Sequence, residues 1–274
     1  MGWTICGRAL SVSLEHGLTR EAEIGYHNLG SWLWLTQGAD EALPYYAAAV
    51  EFYERRGRES HWSRGEMTWP LFDVGRWDEL LELARSIEEE ATGRQGQPLL
   101  MALASKARVL FYRGRPAEAQ TIAAELLPRA RAVGDPQILL PALSLAALVE
   151  PDAAVAIGLI EDMLAVDAPE NPLYPDSARV CVRHGSLELA ERMIRSDERA
   201  APRTRHVGAT VAAIVAEARG EHDEAVRLYE EAAERWQEYP FALERGLCLL
   251  GAGQLEEAAA ILRSLGAEAL MAAA

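Results

Sequence analysis

VAAIVAEARGEHDEAVRLYEEAAERW, residues 211–236, reads as two amphipathic helices joined at one glycine. Val211, Ile214, Val215 and Ala218 recur at helical spacing before Gly220. After the turn, Ala225, Leu228, Tyr229, Ala232 and Trp236 mark one face at i, i+3, i+4, i+7 and i+11. Glycine tolerates the left-handed conformation that ends the first helix. Asp223 and Glu224 fall in the first turn of the second, where the helix dipole favours negative charge.

The same grammar recurs along the chain. GRWDEL from Gly75, GRPAEA from Gly114, GSLELA from Gly185 and GQLEEA from Gly253 repeat GEHDEA from Gly220. GADEAL from Gly38 is one residue tighter. The glycines step by 37, 39, 71, 35 and 33 residues, the long step holding two periods with the degenerate copy EPDAAV at Glu150 inside. A period near 34 is that of a helix-turn-helix repeat, and seven copies fill the chain. Pro116 and Pro151 sit near the starts of second helices, where a missing N–H costs little. The fourth copy lacks the turn glycine and the fifth has a short first helix after NPLYP, so an irregularity is expected there.

These residues resemble the tetratricopeptide repeat family. In the first copy Tyr26, Leu29, Gly30, Leu33, Ala42, Tyr46 and Ala49 match its patterned positions, and Ala119 with Ala123 and Ala258 with Leu262 repeat the later half. The resemblance implies an all-α fold, a right-handed α-α superhelix of about seven helical hairpins, forming one solenoid domain over residues 1–274. The stretch from Gly220 to Ala267 is also similar to the tail of helical-repeat regions in bacterial LuxR-type transcriptional regulators and adenylate-cyclase-associated signalling proteins. Cys6 to His16 reads as a second helix without its first, and Leu270–Ala274 has no polar cap. Both ends suggest a piece of a longer protein.

Composition narrows the function. Across 274 residues the formal charge is −15, and Lys106 is the only lysine, so phosphate backbones are repelled and nucleic-acid binding by this segment is not expected. The arginine- and alanine-rich bias fits a bacterial source. The longest apolar run, Ile138 to Val149, is too short to span a bilayer and holds Pro141. With no basic leader at the N-terminus, a cytoplasmic location is expected. Cys6, Cys181 and Cys248 are too scattered for a disulfide framework or zinc site and read as free thiols.

No P-loop, nucleophile elbow or metal-binding histidine spacing occurs, so no enzyme, cofactor or metal is expected. GAG at 251–253 follows a helix rather than a strand and reads as a turn.

In the tetratricopeptide family the first helix of each hairpin lines the concave face. By that resemblance the face carries His27, Trp34, Trp62, Trp69, Phe72, Arg108, Phe111, Tyr112, Arg179 and Arg183. Aromatic residues and arginine are enriched at binding hot spots, and arginine grips carboxylates with two parallel bonds. The same side chains also suit packing between helices. Two functions follow as expectations. One is a non-catalytic module holding a protein or peptide partner; the other is a small-ligand sensor within a transcriptional regulator. A homodimer through the solenoid ends is a further possibility.

Overall fold

Fifteen α-helices and a short 3-10 turn account for the secondary structure of the described residues, without a strand. They are α1 (Gly2–Glu15), α2 (Thr19–Thr36), α3 (Ala39–Glu54), α4 (His61–Asp73), α5 (Trp77–Glu90), α6 (Gln97–Tyr112), α7 (Pro116–Val133) and α8 (Pro136–Val149). There follow α9 (Ala153–Ala165), α10 (Tyr174–Arg183), α11 (Leu187–Glu191), α12 (Pro202–Ala218), α13 (His222–Glu238), α14 (Ala242–Gly251), α15 (Leu255–Leu265) and the 3-10 turn Glu268–Ala272. The coordinates are a computed structural model describing residues 2–91, 96–166, 171–194 and 199–272; Ala273 and Ala274 of the expected uncapped end lie outside them. Described helices pack against their neighbours in sequence, consistent with an all-α helical solenoid, and among the described residues α2 to α15 follow α1 as seven successive helix pairs.

The repeated glycines carry the turns. Gly75, Gly114, Gly185, Gly220 and Gly253 all have φ between 73° and 78°, the left-handed region that a side chain would strain. Each is followed by an N–H that reaches back to a carbonyl five residues earlier, as from Arg115 to Leu110 (2.9 Å) and Glu221 to Ala216 (3.0 Å). That bond satisfies an otherwise orphaned helix-end carbonyl. Where the fourth hairpin lacks the glycine, Glu150 and Asp152 adopt extended backbone, and the Asp152 carboxylate caps α9 by accepting from the Val155 N–H at 3.0 Å. The expected irregularity lies in the fifth hairpin: α10 has 10 residues and α11 only 5.

The chain divides into two compact units, residues 1–102 and 103–274, with the boundary inside α6. Unit 1 packs α1 to α5 in sequence around Leu29, Leu33, Trp34, Ala42, Tyr46 and Phe52, while Ala84 and Ile87 of α5 meet Ala102 of α6. Gly30 lies against the ring of Tyr46, where a Cβ would sit 3.1 Å from it, so the small residue lets α2 and α3 approach. A closer approach occurs at Gly65 of α4, where a Cβ would lie 2.8 Å from Pro98 Cα at the start of α6. Alanine gains roughly 1 kcal/mol over glycine in a helix interior. Overpacking against backbone costs about 1–3 kcal/mol, and the backbone cannot swing aside as a side chain can. Gly65→Ala is therefore expected to lower the midpoint of thermal unfolding, measured by circular dichroism.

Unit 2 packs α7 to α15 in sequence, with α8 and α12 also lying on α10. Its core includes Leu126, Leu143, Leu145, Val211, Trp236, Phe241 and Leu262, each nearly or fully excluded from solvent. The outer helix faces carry arginine–glutamate pairs three or four residues apart, such as Arg85 with Glu82 and Glu89, and Arg227 with Glu224. Such exposed pairs are solvated and contribute little to stability.

Candidate functional site

In unit 1 the first-helix face joins two side chains of α2 to two buried carboxylates of α4. His27 Nδ1 lies 2.5 Å from Glu66 Oε2, and the Trp34 indole N–H donates to Asp73 Oδ2 at 2.6 Å. One helical heptad separates the donors and another separates the acceptors, so the two bonds form consecutive rungs between helices. Glu66 and Asp73 are only 1% and 2% exposed. Burying a carboxylate is costly unless it is hydrogen-bonded. The Trp34 ring stacks on Trp69 with centroids 5.5 Å apart and planes inclined by 20°, and His27 meets Trp62 edge-on at 6.3 Å. Trp62, Trp69 and His27 remain partly exposed. Phe72 is instead buried, stacked on Trp77 at 5.3 Å, whose indole N–H donates to the Phe72 carbonyl.

The hydrogen bond that His27 donates to Glu66 raises the His27 pKa above 6.5, partial burial works against it, and the carboxylate's charge adds to the rise. The groups around this pair are Trp62 on α4 and the Tyr46 and Tyr53 hydroxyls of α3, which feel the Glu66 charge. A histidine with a raised folded pKa contributes stability fully below its unfolded pKa and loses it as pH rises through the folded value. The melting temperature of the parent is therefore expected to fall relative to His27→Gln as pH climbs from 6 through that window, as read by calorimetry at matched ionic strength.

In unit 2 the first-helix residues converge on their own carboxylates. Arg108 Nη2 of α6 donates to Asp176 Oδ2 of α10 at 2.6 Å, and the Tyr112 hydroxyl donates to Oδ1. Arg179 of α10 grips Glu244 of α14 with both terminal nitrogens, at 2.9 and 2.6 Å, and reaches Asp176 at 3.5 Å. Asp176 and Glu244 are each 1% exposed. Burial would raise the Asp176 pKa, but the Arg108 and Arg179 guanidiniums and the Tyr112 hydroxyl overcome it and hold the carboxyl below its ordinary value. Arg183 is exposed and donates to the Leu148 carbonyl at 3.3 Å, and the Phe111 ring lies edge-on to Tyr112 at 5.2 Å.

Of the ten residues read from the sequence, His27, Trp34, Trp62 and Trp69 share one face of unit 1. Arg108, Tyr112 and Arg179 share one cluster in unit 2. Phe72 belongs to the core. The acids that organise both faces, Glu66, Asp73, Asp176 and Glu244, were not singled out in the sequence. A signal existed: Glu66, Asp176 and Glu244 each stand nine residues before their turn glycine, as Trp69, Arg108 and Arg179 stand six before theirs.

A polar cleft in unit 1 was also missed. About 640 Å³ in volume, it is lined by Glu54, Arg58, Glu59, Ser60, His61, Arg64 and Glu90. Arg64 donates to Glu90 and Ser86, both at 2.6 Å, and His61 lies 3.4 Å from Glu59 and 3.5 Å from Glu90. Among the described residues no three His, Cys, Asp or Glu side chains gather to hold a metal ion, and no helix is long and apolar enough to cross a membrane. The Cys181 and Cys248 thiols are pushed up to about 12, chiefly by burial, and are unreactive at neutral pH.

No protein-family model matches the chain, and no curated protein matches it either.

Proposed function

We propose that this chain is a tetratricopeptide-like, non-catalytic interaction module of a bacterial cytoplasmic regulatory protein, and that it receives a protein or peptide on the first-helix face of unit 1. The observation that carries this reading is the row of Trp62, Trp69 and His27. Their rings stay partly exposed while Trp34, Glu66 and Asp73 hold them from behind. Rigid aromatic side chains offer large contact area at small entropic cost, and they dominate binding energy where alanine scans have been done. The arginines of unit 2 are engaged by the unit's own acids, so they support the reading less.

The test is affinity selection of a peptide library on the full chain, with Trp62→Ala/Trp69→Ala as control. Loss of at least about tenfold in affinity for the selected peptides is expected, because two hot-spot truncations each exceed about 1 kcal/mol. Equal retention by the folded double variant would remove unit 1's face from consideration.

The second reading, a small-ligand sensor of a LuxR-type regulator, draws on the cleft at His61 and Arg64. Its volume falls within the roughly 300–1,000 Å³ of small-molecule sites. A ligand that binds only the folded state raises its melting temperature. A metabolite screen by thermal shift supports this reading if a hit loses its effect in Arg64→Ala, and counts against it if no compound shifts the parent.

A further inference from the structure

Five of the nine large apolar side chains exposed among the described residues fall on α1 and the start of α2: Ile5, Val12, Leu14, Leu18 and Ile24. Grouped exposed apolar side chains mark interaction sites, whereas single scattered ones are ordinary. On α1, Leu10 is buried against Gly25 of α2, where a Cβ would lie 3.1 Å from the Leu10 Cβ, and Ser13 is buried on the same side of the helix. Across α1 from them run Ile5, Arg8, Val12 and Glu15, all exposed. Their spacing of i, i+3, i+7 and i+10 is that of a seam by which one helix packs along another. Among the described residues, neither Arg8 nor Glu15 forms an ion pair.

We infer that this face of α1 pairs with the same face of a second copy of the chain, the two helices lying antiparallel about a two-fold axis level with Ser11 and Val12. The charge order selects that occupant. Arg8 and Glu15 stand equally far to either side of the axis, so each copy's Arg8 meets the other's Glu15, and every contact is made twice. A parallel pairing would set Arg8 on Arg8 and Glu15 on Glu15, which like-charge repulsion disfavours. Val12 sits beside the axis, and Ile5 extends the apolar contact at either end. Net charge permits the approach as well. The whole chain has a formal charge of −15, yet residues 1–20 carry Arg8 and Arg20 against Glu15 alone, so a second copy meets no acidic excess there. Because the seam is one helix wide, the dimer is weak and concentration-dependent rather than obligate. The pairing involves none of the residues of the Trp62–Trp69 row and does not depend on the role proposed for that row.

Sedimentation velocity of the full chain over a concentration series tests the pairing. A monomer–dimer equilibrium is expected in the parent. Arg8→Glu and Glu15→Arg, each checked for its fold by circular dichroism, are each expected to raise the dimer's dissociation constant about tenfold or more, because either one sets two like-charged pairs across the axis. Mixing the two single variants should restore association, and so should combining both substitutions in one chain. A merely structural role for either residue would not produce that exchange. A parent that stays monomeric well above micromolar concentrations would overturn the inference and leave the face to another occupant, such as a preceding helix of a longer chain. A dimer indifferent to both reversals would overturn it by placing the interface elsewhere. Association lost in both single variants and not restored on mixing would eliminate the pairing of Arg8 with Glu15.

Discussion

Arg179→Ala is expected to destabilise unit 2 by about 3–5 kcal/mol, the range found when one partner of a buried ion pair is removed. The substitution takes two hydrogen bonds from the Glu244 carboxylate, which is 1% exposed in the parent. The double variant Arg179→Met/Glu244→Leu is expected to regain most of that loss, because neither charge then needs to be desolvated. Trp236 is the sole tryptophan of residues 103–274, so a 19F-labelled indole there follows unit 2 alone through urea unfolding. A small loss in the single variant would mean that water reaches Glu244 in solution. A double variant as unstable as the single would mean that packing, rather than charge, governs the site. Acid should act on the same cluster. Asp176 has a depressed folded pKa, so its contribution is present above the ordinary 3.8 and lost as pH falls through the folded value.

For unit 1 the largest effect is expected from Trp34→Ala, a loss of about 3–5 kcal/mol from the emptied ring volume. The neighbouring Trp69 loses its stacking partner and Asp73 loses an indole N–H, so the effect should lie toward the upper end. Trp34→Phe goes part of the way: it keeps a ring against Trp69, gives up some ring volume, and removes the indole N–H bond to the Asp73 carboxylate, a kind of bond worth about 1.5–3 kcal/mol. Urea midpoints of both variants, followed by circular dichroism, give the comparison. If Trp34→Phe matches the parent, the rung to Asp73 contributes nothing net and the aromatic row stands on packing alone. Trp62→Ala, at a partly exposed ring, should change stability far less than Trp34→Ala. The two positions thereby distinguish a side chain that supports the face from one that can present itself to a partner.

Much of the architecture is legible before any coordinates. A glycine that must adopt φ near 75° tolerates few alternatives, and five of them, spaced by one or two periods of roughly 35 residues, mark the turns of five hairpins. The helical period on either side of Gly220 needs only local information, since it reports which face each residue occupies. Pro116 at the start of α7 and the small Gly30 against Tyr46 are legible for the same reason. The site is less so. Trp69, Arg108 and Arg179 hold equivalent places six residues before their turns, yet they meet different surroundings.

By itself, then, the sequence determined the paired helices and the turns between them, because both follow from backbone sterics and a period of 3.6 residues, while the register of the first-helix face came from the family resemblance. Only the tertiary structure decided which of those registered residues are available. Trp69 stacks on Trp34 of the preceding hairpin, and Arg179 finds Glu244 65 residues away on α14. Such pairings depend on how far each unit curves, and curvature accumulates from small rotations at every helix contact. A two-residue motif does not encode that sum. The same arginine that would grip a partner's carboxylate on an open face instead grips the chain's own carboxylate when the unit closes.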